Sequence, residues 1–272
     1  MAVVSKSRCC WPKGGIKTDT GGSTFSQADV GNYAARLAAV RGLIDATCLR
    51  VGRDPGEVRL LPISKTVTAS LLRAACAAGM TTFGENKVQE AKSKWEAMSD
   101  LPLSWIIVGH LQTNKAKDAV RFADEFQALD SLHVAETLDR RREIEDRTLD
   151  VFVQVNTSGE ESKFGLVPDA VALFARELLA FSRLKVRGLM TLAIFSADEE
   201  RVRRCFSLLR GIHDRLRDEA PATLSFEQLS MGMSGDFEIA IEEGATVIRI
   251  GQAIFGARPT KDADYWPGAP GT

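Results

Sequence analysis

The sequence predicts an α/β fold, a single (β/α)8 barrel of the TIM type, on three observations. Short apolar strands alternate with turns and amphipathic helices from residue 58 onward, as in a parallel sheet with right-handed crossovers. The length of 272 residues suits one such barrel. Glycine and polar residues gather where the predicted strands end, which is where such barrels carry their chemistry. A doubly wound open sheet is the alternative, because periodicity does not show whether a sheet closes.

The predicted elements begin with a helix over residues 33–49, whose apolar residues recur at helical spacing. The first strand then follows the turn-forming triplet Asp54-Pro55-Gly56. The eight strands are predicted at residues 58–64, 81–84, 104–109, 125–129, 150–156, 185–193, 224–230 and 246–250. The helices between them are predicted to begin near Thr68, Asn86, Asn114, Leu132, Pro168, Ala197 and Ser234. Pro168 suits a first helical turn, where its missing N–H costs nothing.

The predicted barrel occupies residues 29–258 as one domain, between two segments without periodicity. Residues 1–28 are rich in Gly, Ser, Thr and Lys and are predicted to be a disordered leader. Residues 259–272 are a C-terminal tail to which we assign no role. No apolar run has the length of a bilayer, and residues 1–17 contain no signal-peptide core, so we expect a cytoplasmic protein without a membrane partner.

Charge and cysteine content argue against two classes of protein. A net charge of -1 does not suit a grip on nucleic acid through bulk electrostatics, and we expect no nucleic-acid partner. The basic runs at residues 140–142 and 201–204 could suggest a protein- or RNA-binding module, but neighbouring acidic residues favour solvated helix faces. The five cysteines form no CxxC pair and the three histidines lie far apart, so no metal site is predicted.

Lys65 is the candidate reactive residue, at the end of the first predicted strand. A lysine at the carboxyl end of a buried strand is partly desolvated, which favours the neutral amine that attacks an aldehyde to form a Schiff base. For one lysine taken alone, a side chain that extends to solvent is the commoner explanation. Two late segments that suit an anion favour the reactive interpretation.

Ser234 and Gly251 mark these two segments, which follow the last two predicted strands. Ser234 is placed to be a helix N-cap, where a hydroxyl beside backbone N–H groups binds phosphate; a plain N-cap explains the segment equally well. Gly251 follows Arg249 at the end of the last strand and lets the backbone approach a ligand closely. In barrels, the loops after the last two strands frequently hold phosphate. A strand-end lysine that faces a phosphate cradle is the arrangement a pyridoxal 5′-phosphate site needs.

Eight short motifs follow one another in order from about residue 30 to residue 258. They are Ser64-Lys65-Thr66, Phe83-Gly84-Glu85-Asn86 with Val88-Gln89-Glu90, Gly109-His110-Leu111-Gln112, Gln154-Val155-Asn156, Ser162-Lys163 with Gly165, Gly188-Leu189-Met190-Thr191, Leu229-Ser230-Met231-Gly232-Met233-Ser234, and Arg249-Ile250-Gly251 with Ile254-Phe255-Gly256. In this order the set closely resembles the pyridoxal phosphate homeostasis protein family, whose barrel is similar to the N-terminal domain of alanine racemases.

The resemblance implies a protein of intracellular vitamin B6 homeostasis that binds pyridoxal phosphate as a lysine Schiff base and buffers or delivers it without robust catalysis. It implies that Lys65 is the Schiff-base lysine, that Ser234 and the backbone around Gly251 hold the phosphate, and that Arg249 approaches the pyridine nitrogen. The other cofactor-binding residues it implies are Asn86, Ser230, Gln252 and Lys163. An arginine keeps its proton, so the ring nitrogen stays unprotonated and strong electron-sink chemistry is disfavoured.

Three positions depart from the pattern of the family. Lys87 stands where the family often has an aromatic residue, Ile106 where it has a histidine, and Gln252 where it has a small hydroxyl residue. The last change removes one possible phosphate contact, although the backbone N–H of Gln252 remains available. None of the three changes affects Lys65.

An amino-acid racemase is the alternative function. Racemisation by two bases needs a second acid–base group on the opposite face of the cofactor. In alanine racemases that group comes from a separate C-terminal domain, whereas this chain stops soon after Arg258 and its two tyrosines, Tyr33 and Tyr265, lie outside the predicted strands. We therefore expect no racemase activity, and we expect a monomer whose partners are pyridoxal phosphate and the apo-enzymes that receive it.

Overall fold

A computed structural model describes residues 25–219 and 224–256 and confirms the predicted barrel. Eight parallel strands form one sheet in the order β1-β8-β7-β6-β5-β4-β3-β2. The strands are β1 (Arg59–Pro62), β2 (Thr82–Glu85), β3 (Ser104–Ile107), β4 (Ala123–Leu129), β5 (Leu149–Gln154), β6 (Leu184–Met190), β7 (Gln228–Ser230) and β8 (Val247–Ile250). The helices are α1 (Gln27–Arg50), α2 (Ala69–Ala77), α3 (Val88–Ala97), α4 (Ala116–Phe122), α5 (Leu132–Ile144), α6 (Val171–Glu177), α7 (Glu199–Glu219), α8 (Phe237–Glu242) and α9 (Gln252–Phe255).

The first two strands close the sheet into a barrel at their carboxyl ends. Ile63, just beyond β1, forms a parallel bridge with Gly84 in β2. The N–H of Ser64 donates to the carbonyl of Gly84 at 2.9 Å. Gly84 permits this approach, because a Cβ at that position would lie 2.5 Å from Cδ1 of Ile63. The open sheet considered as the alternative is therefore wrong, since this bridge joins its two outer strands.

Helix α1 lies across the outside of the barrel and packs against α2, α8 and α9. Because α9 directly follows β8, this packing brings the buried face of α1 to the edge of the barrel mouth. The rings of Tyr33 in α1 and Phe255 in α9 meet edge to face, with centroids 5.7 Å apart. An aromatic pair with this geometry adds about 0.5–1.5 kcal/mol beyond its buried area.

Several predicted boundaries differ from the structure, with local physical causes. Helix α1 begins at Gln27 rather than 33, because Ser26 and Asp29 form a capping box. Strand β6 ends at Met190 rather than 193. The hydroxyl of the next residue, Thr191, donates a hydrogen bond to the carbonyl of Val155 at 2.7 Å. Strand β7 is also shorter than predicted and covers only residues 228–230. Helix α9 was not predicted, since four residues are too few to show a helical period.

The predicted leader and tail lie almost wholly outside the described residues. Residues 25–28 are the exception: Ser26 caps α1, and Gln27 and Ala28 belong to it, so α1 begins before the predicted end of the leader. None of the helices within the described ranges combines the length and the hydropathy that a bilayer crossing requires.

Candidate functional site

Lys65 lies in the turn that follows β1, at the mouth of the barrel, and only 9% of the residue is exposed. The segment before it is held by β8, since the N–H of Ile63 donates to the carbonyl of Ile250 at 2.8 Å. Thr66 has a φ of 68°, a left-handed conformation that is uncommon for a β-branched residue. The backbone thus turns sharply next to Lys65, and the contacts around the turn must compensate for that strain.

A cleft of about 230 Å³ opens beside Lys65, and we call it the Lys65 cleft. The end of β8 borders it with Gly251 and Gln252, while Tyr33 and Phe255 form part of its apolar wall. The structure therefore brings together three of the predicted site residues, Lys65, Gly251 and Gln252, from opposite ends of the chain.

A buried network of charged side chains supports the turn that carries Lys65. The ammonium of Lys94 donates to the carbonyl of Ser64 at 2.8 Å, to Glu85 at 2.7 Å and to Glu90 at 2.6 Å. Glu90 also accepts the N–H of Thr66 at 2.6 Å. The network thus holds the residue before Lys65 and the residue after it, which fixes where the lysine side chain begins.

Glu85 is the fully buried member of this network. Burial raises its pKa to about 7, although Lys94 and the hydroxyl of Ser64, which donates at 2.5 Å, both favour the charged form. Lys94 carries one positive charge and faces two carboxylates, of which Glu90 is the more exposed. The second carboxyl oxygen of Glu85 is buried without a hydrogen-bond partner, so its negative charge is poorly compensated. Burial therefore outweighs the favourable contacts of Glu85 and keeps its pKa raised.

Gly251 and Gln252 form the start of α9, with Gly251 as its N-cap. The carbonyl of Gly251 accepts the N–H groups of Ile254 and Phe255, at 3.0 and 2.9 Å. The first N–H groups of a helix have no acceptor inside the helix and point away from it, which suits an anion. A Cβ at Gly251 would lie 3.3 Å from the carbonyl oxygen of Ile63, so the glycine lets the ends of β8 and β1 come close together.

Ser234 is not the N-cap of α8, and that prediction is wrong. The helix begins at Phe237 and its N-cap is Asp236. The carboxylate of Asp236 accepts the N–H of Met233 at 2.6 Å, which folds residues 233–236 into a turn and delays the helix. Gly232 opens this loop with a φ of 93° and packs against Ala240, so a side chain would not fit there. Ser234 itself is half-buried in the loop.

Arg249 lies inside the barrel, only 4% exposed, and burial lowers its pKa to about 10. It donates to the hydroxyl of Ser230 and to the carbonyl of Thr191, both at 2.7 Å. Ser230 is itself fully buried. The contacts that the structure shows for Ser230 are therefore with side chains of the barrel interior.

Asn86 and Lys163 lie at other points of the barrel mouth and do not line the Lys65 cleft. Asn86 directly follows β2 and its backbone carbonyl packs against Gly109, where a Cβ would lie 2.3 Å away. The ammonium of Lys163 donates to the carbonyl of Ala193 at 2.9 Å and pairs with Glu160 at 2.5 Å. The cofactor-binding roles of Asn86 and Lys163 remain predictions.

Tyr33 lines the cleft, although it lies before the first strand and outside the predicted barrel strands. It is 5% exposed, and burial is the main cause that raises its pKa above 10. Its place on the apolar face of the helix before β1 indicates burial. A pattern in one sequence does not show where such a helix crosses a barrel.

A protein-family model described as "Alanine racemase, N-terminal domain" matches residues 53–259. Proteins named pyridoxal phosphate homeostasis protein are 40% identical to this chain in Aquifex aeolicus, over 84% of this chain and 99% of the relative, and in Pseudomonas aeruginosa, over 83% and 95%.

Solved structures agree with these matches. PipY of Synechococcus elongatus, described with pyridoxal phosphate (PLP) bound, is 35% identical over 82% of this chain and all of that one, with a TM-score of 0.73. An alanine racemase from Clostridium difficile is 14% identical over 85% of this chain and 57% of its own, with a TM-score of 0.60. At that identity the second likeness concerns the fold alone.

Proposed function

The chain belongs to the pyridoxal phosphate homeostasis protein family, and we propose that it binds pyridoxal 5′-phosphate in the Lys65 cleft and buffers or delivers it without turnover. The observation that supports this most strongly is that one cleft is lined both by Lys65, in the turn after β1, and by the start of α9, which follows β8. The pyridoxal phosphate described in PipY supports the same proposal.

The donor set around the cleft fits this cofactor. Pyridoxal phosphate supplies an aldehyde, and a lysine amine holds an aldehyde by a reversible C=N bond while the oxygen leaves as water. Lys65 would provide that amine, and the backbone at Gly251 and Gln252, with Ser234, would hold the phosphate. Asn86, Ser230 and Lys163 remain proposed cofactor-binding residues. Arg249 would face the ring nitrogen.

Two charge states favour a carrier over a racemase. Arg249 stays protonated at neutral pH, because its lowered pKa of about 10 is still above 7, so it donates a hydrogen bond without supplying a proton. Tyr33 is the phenol beside Lys65, and a pKa raised above 10 leaves it protonated and a poor base at neutral pH. Among the described residues that line the cleft, Tyr33 is the one phenol, so it is the first residue to test as a racemase base.

The proposed partners are pyridoxal phosphate and the apo-enzymes that would receive it, and the proposed state is a monomer. A cytoplasmic location and the absence of a nucleic-acid partner stay predictions from the sequence. Transfer to an amine of a recipient would exchange one C=N bond for another, so it needs no net redox change.

An absorbance titration with pyridoxal phosphate, followed by two assays on the loaded protein, tests this proposal. We expect a new visible band, transfer of the cofactor to an apo-enzyme that depends on it, and no interconversion of alanine enantiomers. Tyr33→Phe, which keeps the ring contact with Phe255, should change none of the three results. Racemisation by the loaded protein would replace the carrier with the racemase, and its loss in Tyr33→Phe would identify Tyr33 as the second base. The absence of a band would refute both functions.

A further inference from the structure

A chain of buried hydrogen bonds connects Arg249 to the opposite end of the barrel. Gln127 in the middle of β4 accepts the hydroxyl of Ser230 at 2.7 Å, and Ser230 in turn accepts from Arg249. The side-chain amide of Gln127 donates to Glu125 at 2.5 Å. Arg59, at the amino end of β1, donates to both oxygens of Glu125 at 2.9 Å. Gln127 and Ser230 are fully buried, and Glu125 is 7% exposed.

The chemistry at the two ends fixes the direction of every bond in this chain. A guanidinium has donors only, so Arg249 must donate to Ser230, and the hydroxyl proton of Ser230 is left for Gln127. A carboxylate has acceptors only, so Gln127 must turn its amide nitrogen toward Glu125 and its carbonyl oxygen toward Ser230. Rotating this amide by half a turn would break both of its hydrogen bonds.

The chain therefore gives Arg249 one preferred orientation. Its hydrogen-bond acceptors are neutral oxygens, those of Ser230 and Thr191. Glu125 is joined to Arg249 by hydrogen bonds through Gln127 and Ser230, which fix the orientation of the guanidinium, whereas the carboxyl group whose charge acts on Arg249 is that of Asp236. Arg249, Gln127 and Glu125 are all absent from the residues that line the Lys65 cleft, so the role of Arg249 at the ring nitrogen comes from the family resemblance.

We propose that Glu125 and Gln127 are positioning residues that aim the guanidinium of Arg249 at the ring nitrogen of bound pyridoxal phosphate. This inference rests on the proposed function and adds to it a control of cofactor recognition from the far end of the barrel. The sequence around Gln127 does not reveal this role, because it shows a polar residue within a buried parallel strand but not which residue that side chain meets across the barrel.

Binding of pyridoxal phosphate and of its 1-deaza analogue, which has a C–H in place of the ring nitrogen, tests the inference. The dissociation constants are measured for wild type, for Gln127→Met and for Asp118→Asn. Methionine fills a similar volume without hydrogen-bonding at either end. Asp118→Asn is the control, because it breaks the Lys92–Asp118 pair between α3 and α4, at 2.7 Å, which shares no residue with the chain that leads to Arg249.

Wild type should prefer pyridoxal phosphate over the analogue. Gln127→Met should weaken pyridoxal phosphate binding by about fivefold, the effect of one buried hydrogen bond, and leave binding of the analogue within about twofold. Asp118→Asn should keep the wild-type preference. If Gln127→Met does not fold, Glu125→Gln takes its place, since its amide no longer fixes the orientation of Gln127.

Each other outcome overturns the inference in a way that separates it from the proposed function. An unchanged preference in Gln127→Met, or an equal loss for both ligands, would mean that the chain does not act through the ring nitrogen, while the carrier function stands. A wild type without preference, or two variants that both fail to fold, would also refute the positioning role. A wild type that binds neither ligand would refute the carrier function itself.

Discussion

Replacement of Glu85 by glutamine should change how stability depends on pH. In the folded state burial raises the pKa of Glu85 from 4.5 to about 7, whereas in the unfolded state it returns to the ordinary value. Between pH 4.5 and 7 the folded protein therefore holds a proton that the unfolded chain has released. Stability falls with rising pH wherever the folded state binds more protons.

The magnitude follows from the size of the pKa change. One pKa unit corresponds to 1.36 kcal/mol, so the rise from 4.5 to about 7 corresponds to about 3 kcal/mol. The burial of Glu85 justifies this conversion, because its carboxyl group is fully shielded from solvent. The penalty is absent below pH 4.5, grows as the pH rises and is constant above about 7.

Urea unfolding of wild type and Glu85→Gln at intervals from pH 5 to 8 measures this effect. We expect the free energy of unfolding of wild type, relative to the variant, to fall by about 2–3 kcal/mol over that range. Asp118→Asn is the control, because Lys92 lowers the pKa of Asp118 below 3.8 and the group does not titrate in this window. A relative stability that is flat, or that rises with pH, would refute the account, since it would mean that Lys94 keeps Glu85 ionised.

Three further substitutions test the contacts that build the barrel mouth, each by urea unfolding or a pyridoxal phosphate titration. Gly188→Ala should lower the free energy of unfolding by at least about 2 kcal/mol, because its Cβ would lie 1.8 Å from the carbonyl oxygen of Gln228; a neutral effect would contradict the strand pairing. Glu90→Ala should weaken pyridoxal phosphate binding about fivefold by releasing the N–H of Thr66, and Glu90→Gln should restore it. Thr68→Ala should cost about 1 kcal/mol through the lost cap of α2, and no change in unfolding would exclude that cap.

The parts of the site that could be predicted from the sequence are those encoded locally. Lys65 and Gly251 each stand at the end of an apolar run, and parallel strands place such ends at one mouth of a barrel. The motif order then assigned a role to each. Barrel closure was predicted only by analogy of length and pattern, and the Ile63–Gly84 bridge now accounts for it.

The parts that could not be predicted depend on which of several local hydrogen bonds forms, or on contacts between residues that are distant in sequence. Ser234 looked like an N-cap, but the N–H groups of Asp236 and Phe237, which its hydroxyl would have to accept, donate to the carbonyl of Met233 instead, and the helix starts later. Tyr33 reaches the cleft only through the packing of α1 on α9, which no local pattern encodes. The contact between Gln127 and Ser230 joins residues that are far apart in sequence.

Reduction with borohydride after loading with pyridoxal phosphate, followed by peptide mapping, tests the central claim most directly. Reduction converts a C=N bond into a stable amine, so the pyridoxyl group marks the lysine that held the cofactor. We predict one modified peptide, labelled at Lys65, and loss of both the label and the visible band in Lys65→Ala. Labelling at Lys163, labelling spread over surface lysines, or a band that persists in Lys65→Ala would contradict the account.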